Sequence, residues 1–226
     1  MSVSISQPQS EHYAAEDTER SWALYQEIHQ TYPDAVVIGG WGSWLHNKAA
    51  KSHDIDIIVS PHDLSTMRET LELTESHQLG SPKWRGTYDG IHLDVYVYYQ
   101  SRLGQRLKLP VENLMGHRQQ IDGYHTLNKE ALLLAKAAAR LDRPDTQPGQ
   151  KDAEDMTILL LEAPDPWDFD LVRQIATCSK SIDPTGADLV LQAVEGLTEV
   201  ATERSMRRKL AMVFKQMRDV FETNNP

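Results

Sequence analysis

Apolar and polar positions along the chain predict two regimes. Residues 18–31 place Trp22, Tyr25, Ile28 and His29 on one helical face. Ala35-Val-Val-Ile38 is a short apolar run that ends at Gly39-Gly40, and residues 42–49 suit a short helix. Ile55–Val59 and Ile91–Tyr99 read as strands rich in β-branched and aromatic residues. Between them, Ser60 and Pro61 carry the start signals of a helix running to about Leu73: a cap, a proline at the first helical position, and Asp63 in the first turn. Asp89-Gly90 is a turn signal.

Beyond about residue 103 the spacing becomes helical. Residues 111–120 suit a short helix and 121–127 a connector. Asn128 can cap a helix over 129–140, Arg143–Gln150 is a Pro/Gly loop, and helices are predicted over 151–162, 167–179, 185–200 and 202–222. This pattern predicts an α+β chain: a polar tail over residues 1–14, a mixed-sheet domain with flanking helices over 15–105, and a helical domain over 106–226.

Composition narrows the classes. The 226 residues are 40% hydrophobic and 25% charged, as in ordinary folded domains. No apolar run approaches a membrane span, and the N-terminus has neither the basic start nor the apolar core of a secretion signal. Cys178 is the single cysteine, which excludes an internal disulfide and a multi-cysteine zinc site. It is expected to be a small buried apolar residue, and a reducing cytoplasm is the expected location. The nine histidines are scattered, without helical ligand spacing, and read as surface residues; His53 alone adjoins a motif. Trp41 and Trp44 read as packing anchors.

The net charge of −10 argues against a protein that coats nucleic acid. It is uneven, however: residues 201–226 hold six basic and three acidic residues. There Arg204, Arg208, Lys215 and Arg218 form a stripe opposite Met206, Leu210, Val213, Met217 and Val220. That is a solvated helix back, or a surface for an acidic partner.

Candidate chemistry concentrates in VVIGGWGSWLHNKAAKSHDIDIIV, residues 36–59. Asp54 and Asp56 stand at i and i+2, hence on one face of a strand. Paired carboxylates repel, and a shared divalent cation relieves that; an oxygen-only set suits Mg²⁺. Asp94, in the middle of the apolar strand 91–99, needs a similar reason, and beside the first two it would complete a two-metal site. Gly39 and Gly40 permit close approach of backbone to a phosphate, and Ser43 can donate a hydroxyl to it. The plainer alternatives are a strand-to-helix turn that needs glycine and carboxylates on a solvated strand.

The succession Gly-Gly-Trp-Gly-Ser, Asp54-Ile-Asp56-Ile and His92-Leu-Asp94-Val resembles the DNA polymerase β-type nucleotidyltransferase superfamily. Its wording is similar to that of lincosamide and aminoglycoside nucleotidyltransferases. Residues 122–160, with Lys136, Arg140, Lys151, Asp152 and Asp155, resemble the helical part of AbiEii-like nucleotidyltransferases of toxin–antitoxin systems. The chain departs from both at the position four before Asp54, where Ala50 replaces an arginine. The resemblance implies a nucleotidyltransferase-type fold and transfer of a nucleoside monophosphate from an NTP, such as ATP, to an acceptor hydroxyl. It further implies two Mg²⁺ ions held by the catalytic residues Asp54, Asp56 and Asp94, with Asp94 also the candidate base for the acceptor proton and Lys136 and Lys151 on the phosphates. The acceptor would be RNA or protein in the AbiEii-like branch, with a cognate toxin or antitoxin as partner, or a small molecule in the antibiotic branch. A non-catalytic nucleotide- or partner-binding module with the same fold is the alternative of a different class.

Overall fold

The computed structural model describes residues 14–76, 82–163 and 165–223; most of the expected N-terminal tail lies outside them. Helix α1 (Ala15–Thr31) leads into β1 (Val36–Val37), α2 (Gly39–Asn47), β2 (Ile55–Val59) and α3 (Pro61–Thr70). Then come β3 (Thr74–Ser76), β4 (Lys83–Tyr88), β5 (Ile91–Val97), and two short pairing segments, β6 (Arg102–Leu103) and β7 (Leu109–Pro110). After α4 (Val111–Met115), β8 (Arg118–Ile121) and β9 (Tyr124–Leu127), the chain is helical: α5 (Lys129–Asp142), α6 (Gln147–Glu162), α7 (Phe169–Thr177), α8 (Gly186–Glu195), α9 (Leu197–Val200) and α10 (Arg204–Thr223).

The helix starts follow the expected caps. Ser60 Oγ accepts from the Asp63 backbone N–H at 3.0 Å, and Asn128 Oδ1 accepts from Ala131 N–H at 2.9 Å. Thr146 caps α6 one turn earlier than expected, because Pro148 fits the first helical turn, so the loop before it is shorter. The helix expected over 185–200 is divided at Gly196 into α8 and α9.

Seven strands form a mixed sheet in the order β3-β4-β5-β2-β1-β9-β8. At its centre β2 runs antiparallel to β1 and parallel to β5, with Asp56 opposite Asp94 in the register. This α+β arrangement is the fold class expected. Two hairpins correct the sequence reading. The segment 111–127 is not a helix and connector: α4 stops at Met115, and β8 and β9 turn at Asp122-Gly123, where both residues have positive φ (52° and 88°). Likewise β4 pairs with β5 through Asp89-Gly90 (φ 48° and 81°). Asp-Gly is the pairing that such two-residue turns favour. Since β9 lies parallel to β1, the sheet draws strands from both sides of residue 105, where a domain division was expected.

Each face of the sheet is covered. Ile55, Ile57, Val59, Leu93, Val95 and Val97 pack in one core with Tyr25 and Ile28 of α1, Trp41 of α2 and Met67 of α3. Trp41 is 1% exposed and its indole N–H donates to Ser21 Oγ at 2.9 Å, so it is the packing anchor expected. The opposite face carries Val36 and Ile58 and merges with the core of α5–α10. By the two-residue period of a strand, Asp54 and Asp56 share this second face with Ile58. The helical half therefore lies over the carboxylates. Leu132 of α5 is completely buried in this core. Replacing Leu132 by Ala is expected to lower stability by about 2–5 kcal/mol in urea unfolding, with an unchanged denaturant slope.

Candidate functional site

The parallel ladder of β2 and β5 brings the two carboxylates together: Asp56 and Asp94 are direct register partners. The Asp56 carbonyl accepts from Ile38 N–H, but its carboxylate has no hydrogen-bond or ion-pair partner among the described residues. Burial, and then the neighbouring charge of Asp94, push its carboxyl up to about 6. The first turn of α2 closes over it. Gly39 has φ +63°, and a Cβ there would overlap Asp56 Oδ2. Glycine at 39 is thus required twice, by its backbone angle and by the carboxylate beneath it. A Cβ on Gly40 would crowd Ser52 and stand 3.1 Å from Lys151 Nζ.

Asp94 has the opposite electrostatic fate. Lys83 Nζ donates to its Oδ2 at 2.5 Å, while Arg85 donates from Nε to Oδ1 at 2.7 Å and from Nη2 to Oδ2 at 3.0 Å. Burial works upward on this carboxyl, but the Arg85 hydrogen bonds and the Lys83 charge outweigh it and hold it below the usual aspartate range. Tyr96, two residues along β5, keeps its proton well above the ordinary range through burial and the charges of Asp56 and Asp94.

A second ionic cluster stands on α5 and α6. Lys136 Nζ lies 2.5 Å from Asp155 Oδ2 and 3.2 Å from Asp152 Oδ1. Lys151 Nζ reaches Asp155 Oδ2 at 3.1 Å, and Arg143 donates to Asp152 Oδ2 from Nε and Nη2 at 2.9 and 2.7 Å. Burial would strip the Lys136 proton, but Asp155 and Asp152 override it and raise its pKa; the charge of Asp56 adds to this. Arg143 also senses Asp56 and Tyr96. Five cations (Lys83, Arg85, Lys136, Arg143, Lys151) therefore face five carboxylates (Asp54, Asp56, Asp94, Asp152, Asp155), and the site is formally neutral.

The expected site residues gather here with differing fates. Asp54 stands at the rim, its side chain 48% exposed, with His53 Nδ1 at 3.0 Å. Ser43 is buried and donates to Gly39 O at 3.2 Å, so its hydroxyl serves its own helix. Lys136 and Lys151 reach the cluster, but as buried partners of Asp152 and Asp155. Cys178 is exposed, contrary to the expectation of burial, because it falls at the C-terminal end of α7 beyond its buried face. The basic residues Arg204, Arg208, Lys215 and Arg218 of α10 are exposed, while Leu210 and Met217 are buried. Sequence reading missed Lys83, Arg85, Arg143 and Tyr96. Arg85 carried a signal: a two-residue turn at Asp89-Gly90 puts residue 85 opposite residue 94.

The donor chemistry at Asp54 and Asp56 fits a hard divalent cation: oxygen ligands only, one of them a carboxylate without a partner among the described residues. Asp94 is different, since both its oxygens are taken. Among the described residues no group of three Asp, Glu, His or Cys side chains is arranged to hold a metal ion.

Comparison with known proteins gives fold but no family. No protein-family model matches the chain, and no curated protein matches it. Among solved structures, JHP933 from Helicobacter pylori aligns with a TM-score of 0.50 at 12% identity, covering 93% of this chain and 96% of that one. At this identity the likeness shows a shared fold alone. An antigenic nucleotidyltransferase-like protein from Paracoccidioides brasiliensis aligns over 89% of this chain and 94% of its own, at 12% identity and a TM-score of 0.46. No helix among the described residues is long and apolar enough to cross a membrane.

The raised Asp56 carboxyl has a consequence for stability. A group whose folded pKa is about 6 against 3.8 unfolded holds a proton more tightly in the native state, so its contribution to stability falls as pH rises between those values. Asp56→Asn lacks this term. In paired urea titrations its stability relative to the parent should rise by roughly 1–3 kcal/mol from pH 4 to pH 7. Parallel stability curves would show that Asp56 titrates as an ordinary surface carboxylate.

Proposed function

We propose that the chain is a Mg²⁺-dependent nucleotidyltransferase: the acceptor hydroxyl, losing its proton, bonds to the α-phosphorus of an NTP, the α–β phosphoanhydride bond breaks, and pyrophosphate leaves. The observation that carries this reading is the unpartnered Asp56 carboxylate, set beside Asp94 and roofed by a glycine turn that admits no side chain. A neutral site does not by itself accept a triphosphate bearing several negative charges, and a cation arriving with the nucleotide supplies the missing charge. Asp54 and Asp56 would hold it. Bound there, Mg²⁺ would act as a Lewis acid on the phosphoryl oxygens and lower the pKa of the acceptor hydroxyl.

The chain's own groups do the rest. Asp54, at the rim, meets the incoming complex first. The α2 turn at Gly39-Gly40 packs closely on Asp56, Ser52 and Lys151 and so fixes the carboxylate's position. Lys136, Lys151 and Arg143 lock Asp152 and Asp155 and project a net positive charge toward the transferring group. Asp94, ion-paired and with a lowered pKa, accepts a proton poorly in this arrangement and serves to hold Lys83 and Arg85.

For the acceptor we favour RNA or protein and a role of the toxin–antitoxin kind, with a cognate toxin or antitoxin as partner. The wording of residues 122–160 supports this, as does the exposed basic stripe of α10. A small antibiotic-like acceptor is the alternative within the same chemistry. One observation favours a second reading, a non-catalytic nucleotide-binding module: Asp94 is engaged by Lys83 and Arg85 rather than open.

Incubation of the protein with cell extract, Mg²⁺ and each α-labelled NTP tests the choice. Transfer of label to RNA, protein or a small molecule, lost in Asp56→Asn by at least about 100-fold, is the expected result. Absence of transfer, together with thermal stabilisation by nucleotide that does not depend on metal, supports the module instead.

A further inference from the structure

The resemblance assigns phosphate binding to Lys136 and Lys151, yet both are engaged by buried carboxylates. Their side chains are only 7% and 10% exposed, and both are committed to Asp152 or Asp155. Drawing either lysine away would leave a buried carboxylate short of its partner, which is strongly unfavourable. A more exposed cation stands beside Asp94 and within the field of Asp54. Arg85 is 37% exposed, and together with Lys83 it puts two positive charges on the single carboxylate of Asp94. Its guanidinium gives Asp94 one N–H from Nε and one from Nη2. Three of its five N–H donors have no part in those bonds, Nη1 among them. The fork is held rigid from one side and its free edge retains charge, an arrangement suited to bidentate binding of phosphate.

We infer that Arg85, seated on Asp94 with Lys83 behind it, grips the polyphosphate of the nucleotide. The inference rests on the nucleotide-binding reading of the site and adds a residue to it. Asp94 then acts as the anchor of a phosphate-binding arginine, and the residue pattern alone does not distinguish this from a carboxylate that faces metal.

The test uses inorganic tripolyphosphate and each of the four NTPs, with Mg²⁺, titrated calorimetrically into the whole protein and its Arg85 variants. The parent should bind tripolyphosphate and at least one NTP. Arg85→Ala should weaken both at least tenfold, and Arg85→Lys should recover part of the loss, because charge returns without the fork. Affinity for the matching nucleoside, which has no phosphate, should change less than twofold; a merely structural role for Arg85 would reduce nucleoside binding as well. If Arg85→Ala does not fold, as judged by its melting transition, Arg85→Gln is read by the same criteria. A parent that binds while the Arg85 variants bind equally well overturns this inference and leaves the proposed function standing. A parent that binds neither tripolyphosphate nor any NTP overturns both.

Discussion

Two like charges placed opposite each other on a central parallel strand pair are the constraint around which this protein is organised. The register of β2 and β5 fixes Asp56 against Asp94, and the helical half covers the face that bears them. Carboxylates so placed need protonation or nearby cations. The chain resolves the two members differently. Asp94 receives Lys83 and Arg85 from the adjacent β4, while burial and the charge of Asp94 raise the Asp56 carboxyl against the opposing, longer-range field of Lys136 and Lys83.

This asymmetry links fold to function. The same β4–β5 hairpin that completes one side of the sheet supplies the cations for Asp94, and the α5–α6 pair supplies a self-contained ionic cluster on the other side. Five cations balancing five carboxylates leave the site without the surplus positive charge that a polyphosphate needs. In the function proposed above, a cation arriving with the nucleotide would supply the missing charge.

Much of this was legible in the residues. The Asp-x-Asp alternation put Asp54 and Asp56 on one face, and Asp94 announced itself as a charge inside an apolar strand. The caps at Ser60 and Asn128 located α3 and α5. What escaped was mainly non-local. The strand β4, Lys-Trp-Arg-Gly-Thr-Tyr, has too mixed a pattern to stand out until its turn is paired with β5. The hairpin of β8 and β9 is polar on its exposed positions and depends on β1 for its place in the sheet. Lys136 could be placed beside a core face, but its burial against Asp152 and Asp155 depends on how α6 packs on α5. The exposure of Cys178 depends on where α7 ends, a boundary that helical spacing does not define sharply.

Carboxyl-resolved NMR titration, with ¹³C-labelled aspartate and assignment by Asp56→Asn and Asp94→Asn, reads the central arrangement directly. The two signals are expected to separate, Asp56 titrating near pH 6 and Asp94 remaining ionised below the usual aspartate range. Two carboxyls that titrate together near the ordinary aspartate value would mean that they neither face each other nor divide the surrounding cations in this way.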